Sequence, residues 1–295
     1  MKTSKKLIFF GTEDFSAPSL EQLIANGYSV VGVVTKPAAA SGRGLKFKTP
    51  KVKFIAERAG VKTFQPEKLS DVIEDLKELE PSHGVLVSYG KILPQEVIDI
   101  FPGGIINVHP SLLPEWRGPS PIETTILSGD EQTGISLMLL SAEMDAGPVY
   151  KQQVWPLNGT ETRLWLYKQL AVAGASLLVD NLEAILDGTL EPKDQDESAA
   201  TYSKILKKSD GLIDWDSEST MQIERKVRAY QGFPKTTAKI WDKYDVIVTK
   251  VRPAQDKNDG ELVIGTKDSY IEVQELTAPS GRSVSGKDFK LGYKP

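Results

Sequence analysis

Five short apolar runs, several of them rich in β-branched side chains, recur along the first half of the chain. They are residues 7–10, 30–34, 84–88, 104–106 and 134–140. Segments with helical spacing of apolar residues lie between them, the longest at residues 160–186. Continuous apolar runs are typical of strands covered on both faces, and strands that alternate with helices favour parallel pairing. The pattern predicts an α/β domain with a mostly parallel sheet that opens with a βαβ unit.

The second half of the chain changes character after a polar stretch. Residues 190–200 contain Pro192 and several acids without periodicity, which indicates a linker. From about residue 205 onward, short alternating runs are separated by Gly, Asp and Pro turns, and this pattern predicts a small antiparallel sheet or barrel. We therefore expect a first domain over residues 1–189, a linker over 190–204 and a second domain over 205–295.

The cysteine and histidine content limits the available chemistry. The 295 residues include no cysteine and 2 histidines, His83 and His109. Disulfides, thiolate ligands and a cysteine nucleophile are excluded, and two histidines argue against a dedicated zinc site, so we expect no metal. Gly11 lacks the further glycines of a dinucleotide-binding GxGxxG fingerprint. His83 follows Pro81 closely and is predicted to lie on the surface.

Composition and charge describe an ordinary soluble protein. Hydrophobic residues make up 40% and charged residues 26% of the chain, and the net charge of −4 argues against a wholly basic nucleic-acid binder. The basic first residues run into a short apolar stretch, residues 7–10, which is too short for a signal peptide or a membrane span. We expect a cytoplasmic protein, monomeric by default, with no membrane partner.

Residues 36–53 form a basic segment without a single acid. Gly42 and Gly44 make its middle pliable, and Phe47 stands among the cations. Such a loop can bind phosphates and stack on a base. The alternative is an ordinary solvated surface loop. The cations of the segment are Lys36, Arg43, Lys46, Lys48, Lys51 and Lys53.

The stretch from Asn107 to Gly118 combines polar side chains with helix-breaking and apolar residues. Asn107 and His109 are two residues apart at the end of a predicted strand, so their side chains share one face. Prolines follow at 110 and 114, and Leu112 and Leu113 offer an apolar wall. The stretch predicts a pocket that holds an amide and an imidazole.

Asp145, on the loop after the next predicted strand, completes a candidate catalytic set with Asn107 and His109. A carboxylate orients an imidazole and favours its charged form, and an amide can donate to a developing oxyanion. No side-chain nucleophile is required if a substrate amine attacks an acyl carbon directly. From spacing alone, the alternatives are a turn asparagine, a strand-end histidine with its hydrogen bonds satisfied, and a turn or helix-cap aspartate.

Several motifs together resemble the folate-dependent N-formyltransferases. The segment 107–118 reads NVHPSLLPEWRG and is followed by the pairs at 121–122, 129–130 and 133–134 and by Met-Asp-Ala-Gly at 144–147. The resemblance is greatest to the members of the family that formylate methionyl-tRNA. It covers nearly the whole chain, from Phe-Gly-Thr at 10–12 to Ile-Asp-Trp at 213–215.

The resemblance implies a Rossmann-like formyltransferase domain that binds 10-formyltetrahydrofolate as co-substrate, followed by a small tRNA-binding barrel resembling an OB-fold. It implies initiator methionyl-tRNA as the partner. By the same resemblance Asn107, His109 and Asp145 are catalytic. The implied folate-binding residues are Tyr89, Leu93, Ser111, Leu112, Leu113 and Pro114, and loop 142–144 flanks the pterin. The implied tRNA-binding residues are Lys36, Arg43, Lys46 and Lys48.

Two departures from the family pattern and two rival functions accompany this interpretation. Pro119-Ser120 replaces a common Ala-Ala pair, and Glu115 stands where a basic residue is frequent. One rival is the same transfer to another amine, such as an amino-sugar nucleotide or glycinamide ribonucleotide. The other is a non-catalytic tRNA-binding protein, which the intact Asn/His/Asp set disfavours.

Overall fold

The five apolar runs form five of the seven strands of one sheet. The structure is a computed structural model that describes residues 4–41 and 46–294, with the side chains of 39–41 and 46–48 left out. The sheet has the order β5-β2-β1-β6-β7-β8-β9, and β3 pairs with β4 apart from it. The elements up to the long helix are β1 (Lys6–Gly11), α1 (Ala17–Ala25), β2 (Ser29–Val34), β3 (Ala39–Ser41), β4 (Lys46–Lys48), α2 (Lys51–Arg58), β5 (Lys62–Phe64), α3 (Ile73–Glu78), β6 (His83–Val87), α4 (Gln95–Ile98), β7 (Ile105–His109), α5 (Pro121–Ser128), β8 (Gln132–Leu139), β9 (Val149–Pro156) and α6 (Arg163–Leu186).

The centre of this sheet is parallel, as the sequence predicts. Strands β2 and β6 each pair with β1 in parallel, β5 pairs with β2 in parallel, and β7 pairs with β6 likewise. Phe9, Phe10 and Ile105 are fully buried, which is expected where helices cover both faces. The predicted α/β class with a mostly parallel sheet is confirmed.

Strand β8 runs antiparallel to β7. Asn107 lies opposite Met138 and His109 lies opposite Ser136. The chain therefore leaves β8 beside the start of β7, where the backbone N–H of Leu140 donates to the carbonyl oxygen of Ile105. The loop that carries Asp145 has to return along β7 to reach its polar end.

Helix α6 is a core helix of the sheet. A Cβ at Gly174 would lie 3.0 Å from Val108 and 3.6 Å from Ile135, so the glycine permits close packing on β7 and β8. The hydroxyl of Tyr167 also accepts from the backbone N–H of Phe15 at 2.9 Å. Among the described helices, α6 has the length and mean hydropathy (1.3) of a candidate membrane span, and half of that apolar window (50%) is buried.

The strands after residue 205 form a second, antiparallel sheet of order β10-β11-β13-β12, with β14 paired to β13. The apolar core of this sheet includes Ile223 of α7, Ile271 and Phe289, all fully buried. The predicted small barrel-like β domain is confirmed. Its elements are α7 (Thr220–Ala229), β10 (Thr236–Ile240), β11 (Tyr244–Ala254), β12 (Val263–Gly265), β13 (Tyr270–Thr277), β14 (Ser283–Ser285) and α8 (Gly286–Gly292).

The chain divides into two compact units that are not single blocks of sequence. The first contains the residues up to Gly118 together with Thr133–Pro156 and Tyr167–Tyr202. The second contains Pro119–Gln132, Leu157–Leu166 and the residues from Ser203 onward. Asn107, His109 and Asp145 all belong to the first unit.

The prediction that His83 lies on the surface is wrong. His83 is the first residue of β6 and only 6% exposed, because its ring packs against Gly103, where a Cβ would lie 1.9 Å from Nε2. Burial, with a smaller contribution from the positive charge of Lys5, lowers the pKa of His83 from 6.5 to about 4. Pro81 suggested a loop at this position, but strand β6 begins only two residues later.

This buried histidine should make stability fall in mild acid. Between pH 6.5 and 4 the unfolded chain binds a proton at residue 83 that the folded chain excludes, so the free energy of unfolding decreases as pH falls through this window. The loss approaches about 3 kcal/mol near pH 4. Urea denaturation at several pH values should show a shallower decrease for His83→Gln than for the wild type. Parallel decreases in the two proteins would contradict this assignment.

Candidate active site

The side chains of Asn107, His109 and Asp145 converge at the polar end of β7. The Asp145 carboxylate places Oδ1 3.4 Å from Nδ2 of Asn107 and Oδ2 3.6 Å from Nδ1 of His109. Oδ2 also accepts the backbone N–H of Gly118 at 2.8 Å. Asn107 and His109 are each 5% exposed, so these polar groups face one another in a buried part of the domain. The predicted trio is therefore assembled in the structure.

The second ring nitrogen of His109 faces the protein backbone. Nε2 lies 3.2 Å from the carbonyl oxygen of Trp116, an atom that can only accept. Each ring nitrogen therefore faces an oxygen acceptor, the Asp145 carboxylate on one side and the Trp116 carbonyl on the other. The ring is thus oriented from both sides, by the carboxylate at ion-pair distance and by the carbonyl at hydrogen-bonding distance.

The backbone around the trio adopts unusual conformations. Asp145 has a φ of 50° and Trp116 a φ of 55°, in the left-handed region that non-glycine residues avoid. Each such residue costs on the order of 1–3 kcal/mol unless its surroundings impose the conformation. Gly118, whose N–H binds Asp145, has a φ of 107°. The geometry of the site is thus held by the fold against local preference.

The turn that follows His109 is secured by hydrogen bonds from β8 and β9. The Ser111 hydroxyl donates to the carbonyl oxygen of Glu115 at 2.6 Å. The Ser136 hydroxyl donates to the Ser111 carbonyl at 2.7 Å and accepts from the Leu113 N–H at 3.0 Å. Gln152 donates to the Leu113 carbonyl at 2.7 Å. The turn is therefore a rigid wall, and the Ser111 hydroxyl is engaged within it.

The loop after β6 contains both buried and exposed residues. Tyr89 and Leu93 lie in an apolar cluster, with the Tyr89 ring edge-on to Phe10 at 5.8 Å. The Tyr89 hydroxyl is buried without a hydrogen-bond partner among the described residues, and burial raises the pKa of Tyr89 to about 12. Ile92, which lies between Tyr89 and Leu93 in the sequence, is 91% exposed. Within this loop, Ile92 is the side chain most open to a ligand.

Exposed apolar side chains flank the trio and fit a folate donor. Met144, directly before Asp145, is 62% exposed, and Leu112 and Pro114 are half-buried. A pterin needs flat apolar contact together with hydrogen bonds at its edge. Ile92, Met144, Leu112 and Pro114 could supply the contact, and the unpartnered Tyr89 hydroxyl is a polar group that the fold itself leaves unsatisfied. Leu113 is buried in the wall of the turn.

Both parts of the chain match known families. Residues 5–182 match the family described as formyl transferase. Residues 205–294 match the formyl transferase C-terminal domain. The chain belongs to the formyl transferase family. The trio, the turn 111–116 and the loop after β6 all lie in the part matched by the first of these formyltransferase domains.

Relatives and solved structures agree with this membership. A methionyl-tRNA formyltransferase of Roseiflexus castenholzii is 36% identical over 305 residues, which cover 99% of this chain and 97% of the relative. HypX from Aquifex aeolicus in complex with tetrahydrofolic acid aligns with a TM-score of 0.64 at 17% identity, covering 98% of this chain and 47% of HypX. This formyltransferase thus spans about half the length of HypX.

An N-formyltransferase from Helicobacter canadensis, in complex with folinic acid and dTDP-3-aminofucose, aligns with a TM-score of 0.67 at 18% identity. The alignment covers 95% of this chain and 97% of that protein. At such identities a structural likeness shows the fold alone.

The basic segment is only partly described in this formyltransferase. The backbone N–H of Lys36 donates to the Thr12 hydroxyl at 3.2 Å, and its carbonyl accepts from Gln65 at 2.9 Å. The Nζ of Lys36 lies beside Gly90, where a Cβ would approach it to 2.5 Å. Lys46 and Lys48 belong to β4, whose side chains are not described, and Arg43 lies outside the described residues. Lys36 thus stands at the carboxyl edge of the sheet beside the loop after β6.

Two backbone groups and one side chain escaped the sequence-based prediction. The Gly118 N–H and the Trp116 carbonyl bind the trio, and backbone groups carry no side-chain signal. The side chain of Gln195 donates from Nε2 to the carbonyl oxygens of Asp145 and Gly147. Gln195 stands in the polar, aperiodic stretch expected to be a linker, where nothing in the sequence marks it.

Metal ligands were not expected, and the described residues contain no group of three or more His, Asp or Glu side chains placed to hold a metal ion. The acidic group nearest to His109 is Asp145, and its oxygens are engaged by Asn107 and Gly118. The Asp145 carboxylate thus faces the amide and the imidazole of the site.

Proposed function

We propose that this chain transfers a formyl group from 10-formyltetrahydrofolate to the α-amino group of initiator methionyl-tRNA. The observation that carries the proposal is the convergence of Asn107, His109 and Asp145, with no serine, cysteine or lysine among them. Such a set suits direct attack of an amine on an acyl carbon. Similarity over the full length to a methionyl-tRNA formyltransferase supports the choice of acceptor.

Each member of the trio has a distinct role in the proposed reaction. The Asn107 amide donates a hydrogen bond to the oxyanion that develops on the formyl oxygen. His109 stabilises the same charge, takes the proton that leaves the attacking nitrogen and delivers it to N10 of the folate as the C–N10 bond breaks, so that tetrahydrofolate leaves. Asp145 holds the imidazole ring in place from 3.6 Å and compensates its positive charge. The co-substrate supplies the formyl group, and the protein supplies orientation, charge and proton exchange.

The remaining residue roles follow the family. Tyr89, Leu93 and residues 111–114 bind the folate, with Ile92 and Met144 adding exposed apolar contact. Lys36, Arg43, Lys46 and Lys48 bind the tRNA. We assign the catalytic domain to residues 1–189, the linker to 190–204 and a tRNA-binding domain to 205–295, which the family matches at 5–182 and 205–294 support. Because such an enzyme acts in translation initiation, we assign it to the cytoplasm. We also expect it to be a monomer.

A comparison of acceptors tests this function. The protein is mixed with 10-formyltetrahydrofolate and offered charged initiator tRNA, glycinamide ribonucleotide or dTDP-linked amino sugars. Formylation of methionyl-tRNA at a kcat/KM far above that of the other acceptors is the expected result. The amino sugars are included because the Helicobacter canadensis protein of similar fold binds dTDP-3-aminofucose. A preference for one of the small acceptors would contradict methionyl-tRNA as the substrate, but it would leave the proposed formyl transfer in place.

The basic segment should bind the acceptor through its charge. Replacing Arg43 and Lys46 together with alanine removes two positive charges that we propose bind phosphates, and should raise the KM for methionyl-tRNA roughly tenfold at moderate salt. The slope of log KM against log salt should decrease by about one for each residue. KM measured between low and moderate salt tests this.

The double variant Lys62→Ala with Lys77→Ala is the matched control, because it removes the same charge from lysines that are paired with Asp75 and Glu74. An equal effect in the control would mean that total charge, and not the basic segment, governs tRNA binding.

A further inference from the structure

The side-chain amide of Gln195 uses all of its hydrogen-bonding positions within the site. Nε2 donates to the carbonyl oxygen of Asp145 at 2.8 Å and to that of Gly147 at 2.7 Å. Oε1 accepts from Nε of Arg117 at 3.1 Å and from Nη2 at 2.9 Å. A carboxamide has two N–H donors and two lone pairs on its oxygen, so no position is left over. Gln195 thus connects Arg117 to the loop that carries Asp145.

Arg117 is itself fixed in place. Its side chain is buried, and its guanidinium forms a two-pronged ion pair with Glu197 at 2.7 and 2.9 Å. The hydrogen bonds that Arg117 donates to Glu197 raise the pKa of Arg117. The Arg117 backbone N–H also donates to the carbonyl oxygen of Thr201 at 2.9 Å. A planar, doubly bound guanidinium has little freedom, so Gln195 is held from a rigid support.

The loop that Gln195 holds needs such support. Asp145 is in the left-handed region with a φ of 50°, a conformation that costs on the order of 1–3 kcal/mol for a non-glycine residue. Two residues later, a Cβ at Gly147 would lie 1.9 Å from the Leu139 carbonyl oxygen, so the returning chain presses on β8. Without the two donors of Gln195, the Asp145 and Gly147 carbonyls lose these partners and the turn can relax to ordinary φ values.

We propose that Gln195 is a positioning residue for formyl transfer. By holding the carbonyl groups of Asp145 and Gly147, it keeps the Asp145 carboxylate beside His109 and against the Gly118 N–H. Gln195 acts through Asp145, and none of its described hydrogen bonds goes to Asn107 or His109. The changes in kcat expected from this inference rest on the proposed function. The changes expected in the His109 spectrum rest on the geometry alone.

Two substitutions separate this role from simple packing. Gln195→Met keeps the length of the side chain and removes its hydrogen bonds, so kcat should fall roughly 100-fold. The KM values for folate and tRNA should stay within about threefold, because Asp145 acts on the transition state. Gln195→Glu keeps acceptors for Arg117 but directs a carboxylate oxygen at two carbonyl oxygens, and kcat should fall at least as far. Ser198→Ala is the matched control, since its described side-chain contact is with Asp196.

A second readout does not depend on turnover. The chain has 2 histidines, so ¹³C-labelled histidine gives two imidazole signals, which His109→Ala assigns. In Gln195→Met and Gln195→Glu the His109 signal should move as Asp145 leaves its position. The His83 signal, from a buried ring at the start of β6, should stay and thereby report an intact fold.

The outcomes distinguish the two proposals. The positioning role would be overturned if both Gln195 variants kept kcat within twofold of the wild type, or if the His109 signal did not move in them. A loss confined to KM would also overturn it. A wild-type protein that formylates no methionyl-tRNA would instead contradict the proposed function, and the His109 signal would still decide the role of Gln195.

Discussion

Replacing His109 with alanine is expected to lower kcat for formyl transfer by roughly 10³–10⁴-fold, at the upper end of the range for a general acid–base residue. The ring is the group in the trio that can both carry a positive charge and exchange a proton. Asn107 can donate a hydrogen bond but cannot accept the proton from the attacking amine. Because these interactions strengthen in the transition state, the affinity for folate should remain within about tenfold of the wild type.

The measurement is steady-state turnover together with a direct binding titration of the folate. His83→Gln is the natural control, because it removes the other histidine of the chain and should leave turnover at neutral pH unchanged. If His109→Ala lost folate binding and turnover in equal proportion, the ring would be a structural element of the folate pocket.

Asp145→Asn is expected to lower kcat by roughly 10²–10⁴-fold. Both carboxylate oxygens face donors, Oδ1 the Asn107 amide and Oδ2 the Gly118 N–H. Whichever way a substituted amide is turned, its NH₂ group opposes one of these donors. The change therefore removes the charge beside His109 and also drives the side chain out of its position.

Kinetics should assign this loss to kcat, with KM for both substrates changed much less. Asp180→Asn is a matched control that removes the same charge from an exposed position on α6. If Asp145→Asn retained at least a third of wild-type kcat, the carboxylate would have no part in orienting the imidazole.

Much of the fold follows from the periodicity of the sequence. The features that the sequence did not predict depend on contacts between residues that are distant in the chain. The runs at 7–10, 30–34 and 84–88 predicted β1, β2 and β6 because continuous apolar stretches need cover on both faces. The direction of β8 was not predictable, since an antiparallel strand has the same apolar pattern as a parallel one. Strand β9 was missed because it is largely exposed and mixes Lys151 and Gln152 with apolar residues.

The candidate site shows the same division. Asn107 and His109 share a strand face, which spacing alone predicts. Asp145 was added from its place on the loop after the next predicted strand, and the family resemblance implies the same residue. The hydrogen bonds that give Asp145 its position come from the Gly118 backbone and from Gln195, fifty residues further along the chain. Local pattern carries no information on such pairs. The prediction for His83 was wrong for a related reason, because its burial depends on packing against Gly103, which is distant in the sequence.

A single-turnover experiment tests the central claim most directly. The protein, in excess over 10-formyltetrahydrofolate labelled in the formyl group, is mixed with initiator methionyl-tRNA and quenched at successive times. We predict that the label passes to the methionine α-nitrogen at the rate at which the donor is consumed, with none attached to the protein at any time. Label bound covalently to the protein before it reaches the tRNA, or donor consumed without formylmethionyl-tRNA, would contradict direct transfer at the Asn107, His109 and Asp145 site.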